Sequence, residues 1–135
     1  MKTLFFLPVL FFSFFNRAPE PPMPDHSILY CKFLGYPVTI RKDEKGNEYA
    51  VCTFPDGTEC STWEFYRGAC GKEYSYCSRK GCETYSITEE KDSFTIRYCS
   101  CGCKDSLGRE QLIRLDIFMK QNGDTLYKPI PGREG

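Results

Sequence analysis

The chain opens on an apolar run. Leu4 to Phe15 is apolar apart from Ser13, is interrupted by Pro8, follows Lys2 and shows no helical period; six Phe fall within the first 15 residues. Twelve such residues are too few for a helix that spans a bilayer, which takes about 20. A short apolar stretch behind a basic residue is instead the pattern of a secretory signal. No Ala-x-Ala stretch marks a cut, so 1–18 is expected to be a signal peptide or an uncleaved N-terminal anchor. Residues 19–24, rich in Pro, read as an extended linker.

Beyond the linker the apolar positions come in short bursts. Asp25 is a good N-cap, because its carboxylate accepts a bond from an otherwise unpaired N–H. Ser27 to Leu34 is predicted as a short helix, with Gly35 able to take the left-handed conformation that closes it. Val38 to Arg41 is strand-like, Lys45-Gly46-Asn47 is a turn, and Glu48 to Phe54 is a second strand. Pro55-Asp56-Gly57 is a further turn. Ser61-Thr62-Trp63-Glu64 is a capping box, so a second short helix is predicted to run to about Arg67 and to end at Gly68. Later, Ile113, Leu115, Ile117 and Met119 alternate with mostly polar neighbours, which is strand period. Asn122-Gly123 is a hairpin signal, Thr125 to Tyr127 would be the return strand, and Pro129 and Pro131 would end it.

The pattern partly repeats. Tyr30-Cys31-x3-Gly35 recurs as Tyr76-Cys77-x3-Gly81, and Asp43-Glu44-Lys45 recurs as Glu89-Glu90-Lys91 at the same 46-residue offset. Val51-Cys52 recurs as Tyr98-Cys99 after one more residue. Self-similarity at a fixed period points to a duplicated unit. The expected architecture is therefore α+β: two small disulfide-rich units in tandem, each a short helix packed on an antiparallel β-hairpin, the first over 25–71 and a degenerate second over 72–135 that ends in a C-terminal β-hairpin.

Composition changes the picture at one point above all. The chain has 135 residues, 18 Lys+Arg against 18 Asp+Glu, one His and nine Cys. A net charge of zero offers no basic footprint for nucleic acid. Removing 1–18 takes away Lys2 and Arg17, leaves a net charge of −2, and leaves no cationic amphipathic segment for membrane lysis. Membrane contact is thus expected only through an uncleaved N-terminal segment. A single His excludes most Ser-His, Cys-His and His-ligated metal chemistry. Nine Cys behind an export signal read as a disulfide framework of Cys31, Cys52, Cys60, Cys70, Cys77, Cys82, Cys99, Cys101 and Cys103 with one Cys left over. Units of about 45 residues bury too little apolar surface to dispense with such staples.

At residues 27–70 the string Tyr30-Cys31, Ile40-Arg41, Tyr49-Ala50-Val51-Cys52, Phe54-Pro55-Asp56-Gly57, Glu59-Cys60 and Trp63-Glu64-Phe65-Tyr66-Arg67-Gly68 resembles the DUF333 family, with a degenerate second copy over about 73–120. Tyr36 after the capping Gly, and Asp25-His26-Ser27 at the helix start, depart from the family pattern. The resemblance implies a short exported protein and carries no mechanism, despite a hemolysin label attached to some members. It favours the pairs Cys31–Cys52 and Cys60–Cys70, with Cys52–Cys60 as the alternative. By analogy between the repeats Cys77 pairs with Cys99, and Cys82 with Cys101 or Cys103.

Three chemistries follow as expectations. The favoured one is a non-enzymatic binding module of the cell envelope or exterior, without cofactor, whose partner is an unknown protein or envelope component and whose aromatic cluster of Trp63, Phe65, Tyr66 and Arg67 is the candidate contact surface. The second is a secreted protease inhibitor that presents Tyr66-Arg67-Gly68-Ala69-Cys70. The third is a thiolate metal site: on a strand Cys99, Cys101 and Cys103 share one face, and with Cys82 or Cys77 they suit Zn or Cu(I). His26 is expected to be an exposed residue of the first helical turn. The acidic clusters Asp43-Glu44 and Glu89-Glu90-Lys91-Asp92 are expected on solvated hairpin tips.

Overall fold

The computed structural model describes residues 25–126. The N-terminal segment 1–18, the linker 19–24 and residues 127–135 lie outside the described residues. Helix α1 spans His26–Phe33, and Asp25 caps it by accepting the Ile28 amide at 2.9 Å. Three antiparallel strands follow, β1 (Val38–Lys42), β2 (Glu48–Thr53) and β3 (Glu59–Ser61), in the order β1-β2-β3. Helix α2 covers Thr62–Tyr66, with the Ser61 hydroxyl accepting the Glu64 amide. A single 3-10 turn, Lys72–Tyr74, leads into the second unit. There, α3 (Tyr76–Arg79) precedes β4 (Glu83–Lys91), β5 (Phe94–Lys104) and β6 (Glu110–Arg114), again ordered β4-β5-β6, and α4 (Leu115–Gln121) closes it. Each unit is thus helix, three-stranded meander, helix, one strand richer than the expected helix-on-hairpin. Among the described residues no helix is long and apolar enough to cross a membrane.

Register relates the two sheets. Cys52 on β2 stands opposite Val38 and Cys60, and Cys101 on β5 stands opposite Thr84 and Ile113. Val38 and Thr84 keep the 46-residue offset, but the β4–β5 ladder has nine pairs where β1–β2 has five. The longer hairpin pushes the central cysteine along the strand, so Cys101 occupies the place that Cys52 holds in the first unit. This corrects the expected Cys77–Cys99 pair: Cys77 is bonded to Cys101. The other bridges are Cys31–Cys52, Cys60–Cys70 and Cys82–Cys103. Cys99 is the free cysteine, and it is buried.

The C-terminal β-hairpin is also corrected. Strand β6 stops at Arg114, and Leu115–Gln121 is helical. Leu115, Phe118 and Met119 fall at i, i+3 and i+4, so winding buries Leu115 and Met119 against the core and leaves Ile117 exposed. The apparent alternation of Ile113, Leu115, Ile117 and Met119 hid this 3.6-residue stripe. Gly123, at φ 76°, takes the left-handed position after the helix instead of a hairpin turn, with the Asp124 amide donating to the Met119 carbonyl. Thr125 and Leu126 form no strand, and Tyr127 lies outside the described residues.

The core is a chain of rings and sulfurs that runs through both units. In the first, the Phe65 ring lies 4.9 Å from Phe54 and 5.0 Å from Tyr30, and Phe54 stacks on Tyr74 at 4.6 Å. The buried Tyr30 hydroxyl accepts the Tyr76 amide at 2.9 Å, so the first unit caps the start of α3. Tyr76, its counterpart, donates to Asp124 at 2.5 Å, just beyond the last helix of its own unit. Ser27 ties α1 to α2 by a 2.8 Å bond to Thr62. The Arg79 guanidinium donates to the Leu34 carbonyl and stacks on Tyr36, another tie between the units.

Candidate functional site

The cleft between the units is built from three elements. Helix α2 turns Phe65 inward, 1% exposed, and leaves Trp63 40% exposed on its opposite face. Arg67 follows at the C-cap with its guanidinium 5.0 Å over the Trp63 ring. Gly68, at φ 77°, then lets the chain turn close to the second sheet: a Cβ there would meet the Tyr85 carbonyl at 3.0 Å and the Cys99 sulfur at 3.1 Å. Strand β5 contributes Arg97, Tyr98 and Cys99, and the β6–α4 junction contributes Arg114 and Asp116. These residues line a cleft of about 170 Å³ together with Trp63, Tyr66 and Arg67.

The charges at the rim are partly paired. Arg97 lies 3.6 Å from Glu64, and Arg114 lies 3.4 Å from Asp116. Arg114 also stacks 5.0 Å over Tyr98, whose hydroxyl donates to Glu89 at 2.6 Å. Arg67 has no ion pair among the described residues.

Cys99 reaches the cleft from its buried side. Its sulfur lies 3.8 Å from that of Cys77. Burial pushes the Cys99 thiol up to about 12, with Lys72 offsetting little of it. The thiol is therefore held protonated at neutral pH and is a poor nucleophile. Below about pH 9 both folded and unfolded chains keep this proton; between about 9 and 12 the unfolded chain ionises first, so stability falls as pH rises. Urea melts at pH 8 and pH 10.5 are expected to show wild type losing up to about 1.4 kcal/mol per pH unit above 9 relative to Cys99→Ala; equal losses in the two proteins would remove the account of this thiol.

The other sequence candidates sort as follows. Trp63, Tyr66 and Arg67 meet at the cleft, but Phe65 belongs to the core. The thiolate set does not assemble: Cys101 and Cys103 share a face with Cys99 as expected, but are bonded to Cys77 and Cys82. No three His, Cys, Asp or Glu side chains among the described residues are grouped to hold a metal. The inhibitor reading needs Tyr66 to Cys70 as a presented, disulfide-braced loop; the Cys60–Cys70 bridge supplies the brace, but Arg67 has helical backbone, φ −80° and ψ −1°, and its guanidinium lies over Trp63. His26 lies in the first turn of α1, 6.3 Å from the Tyr66 ring, and lines a separate groove with Met119 and Leu126. At the first hairpin tip Asp43 accepts the Asn47 and Lys45 amides at 2.9 Å, which lowers its pKa; at the second, Glu89 to Lys91 end β4 and Asp92 takes the turn at φ 51°. Arg97, Tyr98, Arg114 and Asp116 carried no sequence signal, because only the packing of one unit on the other brings them to α2.

The family model that matches the chain covers residues 26–69 and is described as a domain of unknown function, DUF333. The first unit thus matches the DUF333 family model. Its boundaries enclose α1, the first meander, α2 and the Cys31–Cys52 bridge, and stop one residue short of Cys70. The chain is also 36% identical over 64 residues to an uncharacterized protein of Archaeoglobus fulgidus. That alignment spans 47% of this chain and 30% of the relative's length. No solved structure matches the chain. The cleft thus joins an edge of the matched segment, Trp63 to Arg67, to residues beyond it.

Proposed function

We propose that this protein is an exported, non-enzymatic binding module, in which a tandem duplication joins the DUF333 domain to a degenerate second copy so that the two form a recognition cleft. The observation that carries the reading is the convergence of Trp63, Tyr66 and Arg67 from the first unit with Arg97, Tyr98 and Arg114 from the second. Half-exposed aromatic and Arg side chains are the residue types that dominate recognition surfaces. Four disulfides support an oxidising compartment outside the cytoplasm, in keeping with the signal-like N-terminal run. The shared order of helix, meander and helix, the 46-residue offset kept from Tyr30 to Val38, and the matched register of Cys52 and Cys101 support the duplication.

The test is amide-shift mapping of the full, oxidised chain against a small library of charged and neutral fragments. Binders are expected to shift amides within 63–67, 97–99 and 114–116. Binders that cluster on another surface, or none at the cleft, would contradict the reading.

A further inference from the structure

Resting on that reading, we infer that the cleft binds an oxyanion: the carboxylate or phosphate group of a ligand is held by Arg67, Arg97 and Arg114. The chain carries equal numbers of basic and acidic side chains, yet three guanidiniums line this one cleft and Asp116 is the carboxylate among its lining residues. Glu64, paired to Arg97, stands at the edge.

The way the guanidiniums are held matters as much as their number. Arg67 lies over Trp63 and Arg114 lies over Tyr98, each at 5.0 Å. Stacking engages the flat face of a guanidinium and leaves its edge, with the N–H donors, available for a bidentate acceptor. The aromatic rings therefore restrict these two side chains before any ligand arrives, which lowers the entropy cost of binding. The existing ion pairs are weak competitors. Arg97–Glu64 and Arg114–Asp116 are 3.6 and 3.4 Å long between side chains roughly half exposed, and exposed pairs of that kind contribute about 0–1 kcal/mol. An oxyanion that takes two Arg forks exchanges such contacts for charge-assisted hydrogen bonds.

Size sets the limit. About 170 Å³ falls below the roughly 300–1,000 Å³ of pockets that enclose a whole small molecule. The cleft takes a charged group, and the rest of the ligand lies outside it.

The experiment is a titration of the labelled, oxidised full chain at about 10 mM ionic strength, where screening is weak. The probes are inorganic phosphate, citrate, glucose as the neutral control and chloride as the ionic-strength control. Phosphate or citrate is expected to give saturable shifts at amides within 63–67, 97–99 and 114–116, with whichever binds tighter marking the ligand group as phosphate or carboxylate. Affinity is expected to fall at least tenfold in Arg67→Gln/Arg114→Gln and to persist in Arg41→Gln, which alters the outer strand of the first sheet. Arg114 is exposed and Arg67 half-buried, and single Arg114→Gln serves if the double variant does not fold. Anion shifts spread over the surface, or unchanged in the cleft variants, would overturn the inference. Glucose shifting the cleft amides where the anions do not would overturn the ligand class and leave the binding-module reading standing. No cleft response to any probe, alongside an empty fragment map, would overturn both.

Discussion

Phe65→Ala is expected to destabilise the chain by about 3–5 kcal/mol, the cost of cutting a large buried ring back to a methyl group. Phe65 is the hub of the first unit: 1% exposed, with Phe54 at 4.9 Å and Tyr30 at 5.0 Å. Little can collapse into the void. Phe54 is fixed by its stack on Tyr74, and the Tyr30 hydroxyl is held by the Tyr76 amide. The effect should also cross the junction, because Tyr30 caps α3. A total stability of 5–15 kcal/mol is usual for a domain, so the loss is a large fraction of the whole. Urea denaturation followed by near-ultraviolet circular dichroism checks this; a loss under 1 kcal/mol would mean that the ring is not part of the shared core. Trp63→Ala, two residues away on the exposed face, serves as the contrast and is expected to cost far less stability.

The second large effect is expected from Cys31→Ala/Cys52→Ala. Both residues are fully buried, and their bridge ties α1 to the central strand of the first sheet across 21 residues. Closing a loop of that length removes about 3 kcal/mol of unfolded-chain entropy, and the two buried sulfurs add packing that Ala does not replace. The combined loss is expected at about 2–5 kcal/mol, again large against the whole. Cys60–Cys70 spans only 10 residues, and Cys70 is partly exposed. Its removal is expected to cost less. Paired urea melts of the two double variants decide the order, and a larger loss for the Cys60–Cys70 variant would contradict this placement of the core.

The first unit was legible because local chemistry and packing agree there. Asp25 and Ser61 are N-caps in the sequence and in the structure, and the strand, turn and strand between them follow a short hairpin whose turn chemistry is explicit. In the second unit local pattern and packing part company. The Cys-x-Cys-x-Cys run offers three equivalent positions on one strand face, and only the length of the β4–β5 ladder selects Cys101 for Cys77. A two-residue shift along a strand keeps the same face, so periodicity could not choose between Cys99 and Cys101. In the 113–119 segment, alternation and helical spacing share Leu115 and Met119, and the core contact of these two decided for helix. The cleft was half visible: Trp63, Tyr66 and Arg67 stood out as an aromatic and basic cluster, but Arg97 and Arg114 reach it from strands 30 and more residues away.

The central claim is a scaffold of two units held by four specific bridges around one buried thiol. Proteolytic mapping of the purified, oxidised protein, alkylated without reduction under denaturing conditions, tests it most directly. The account predicts peptides joined as Cys31–Cys52, Cys60–Cys70, Cys77–Cys101 and Cys82–Cys103, with alkylation at Cys99 alone. A Cys77–Cys99 link, or alkylation at Cys99, Cys101 and Cys103 together, would contradict it.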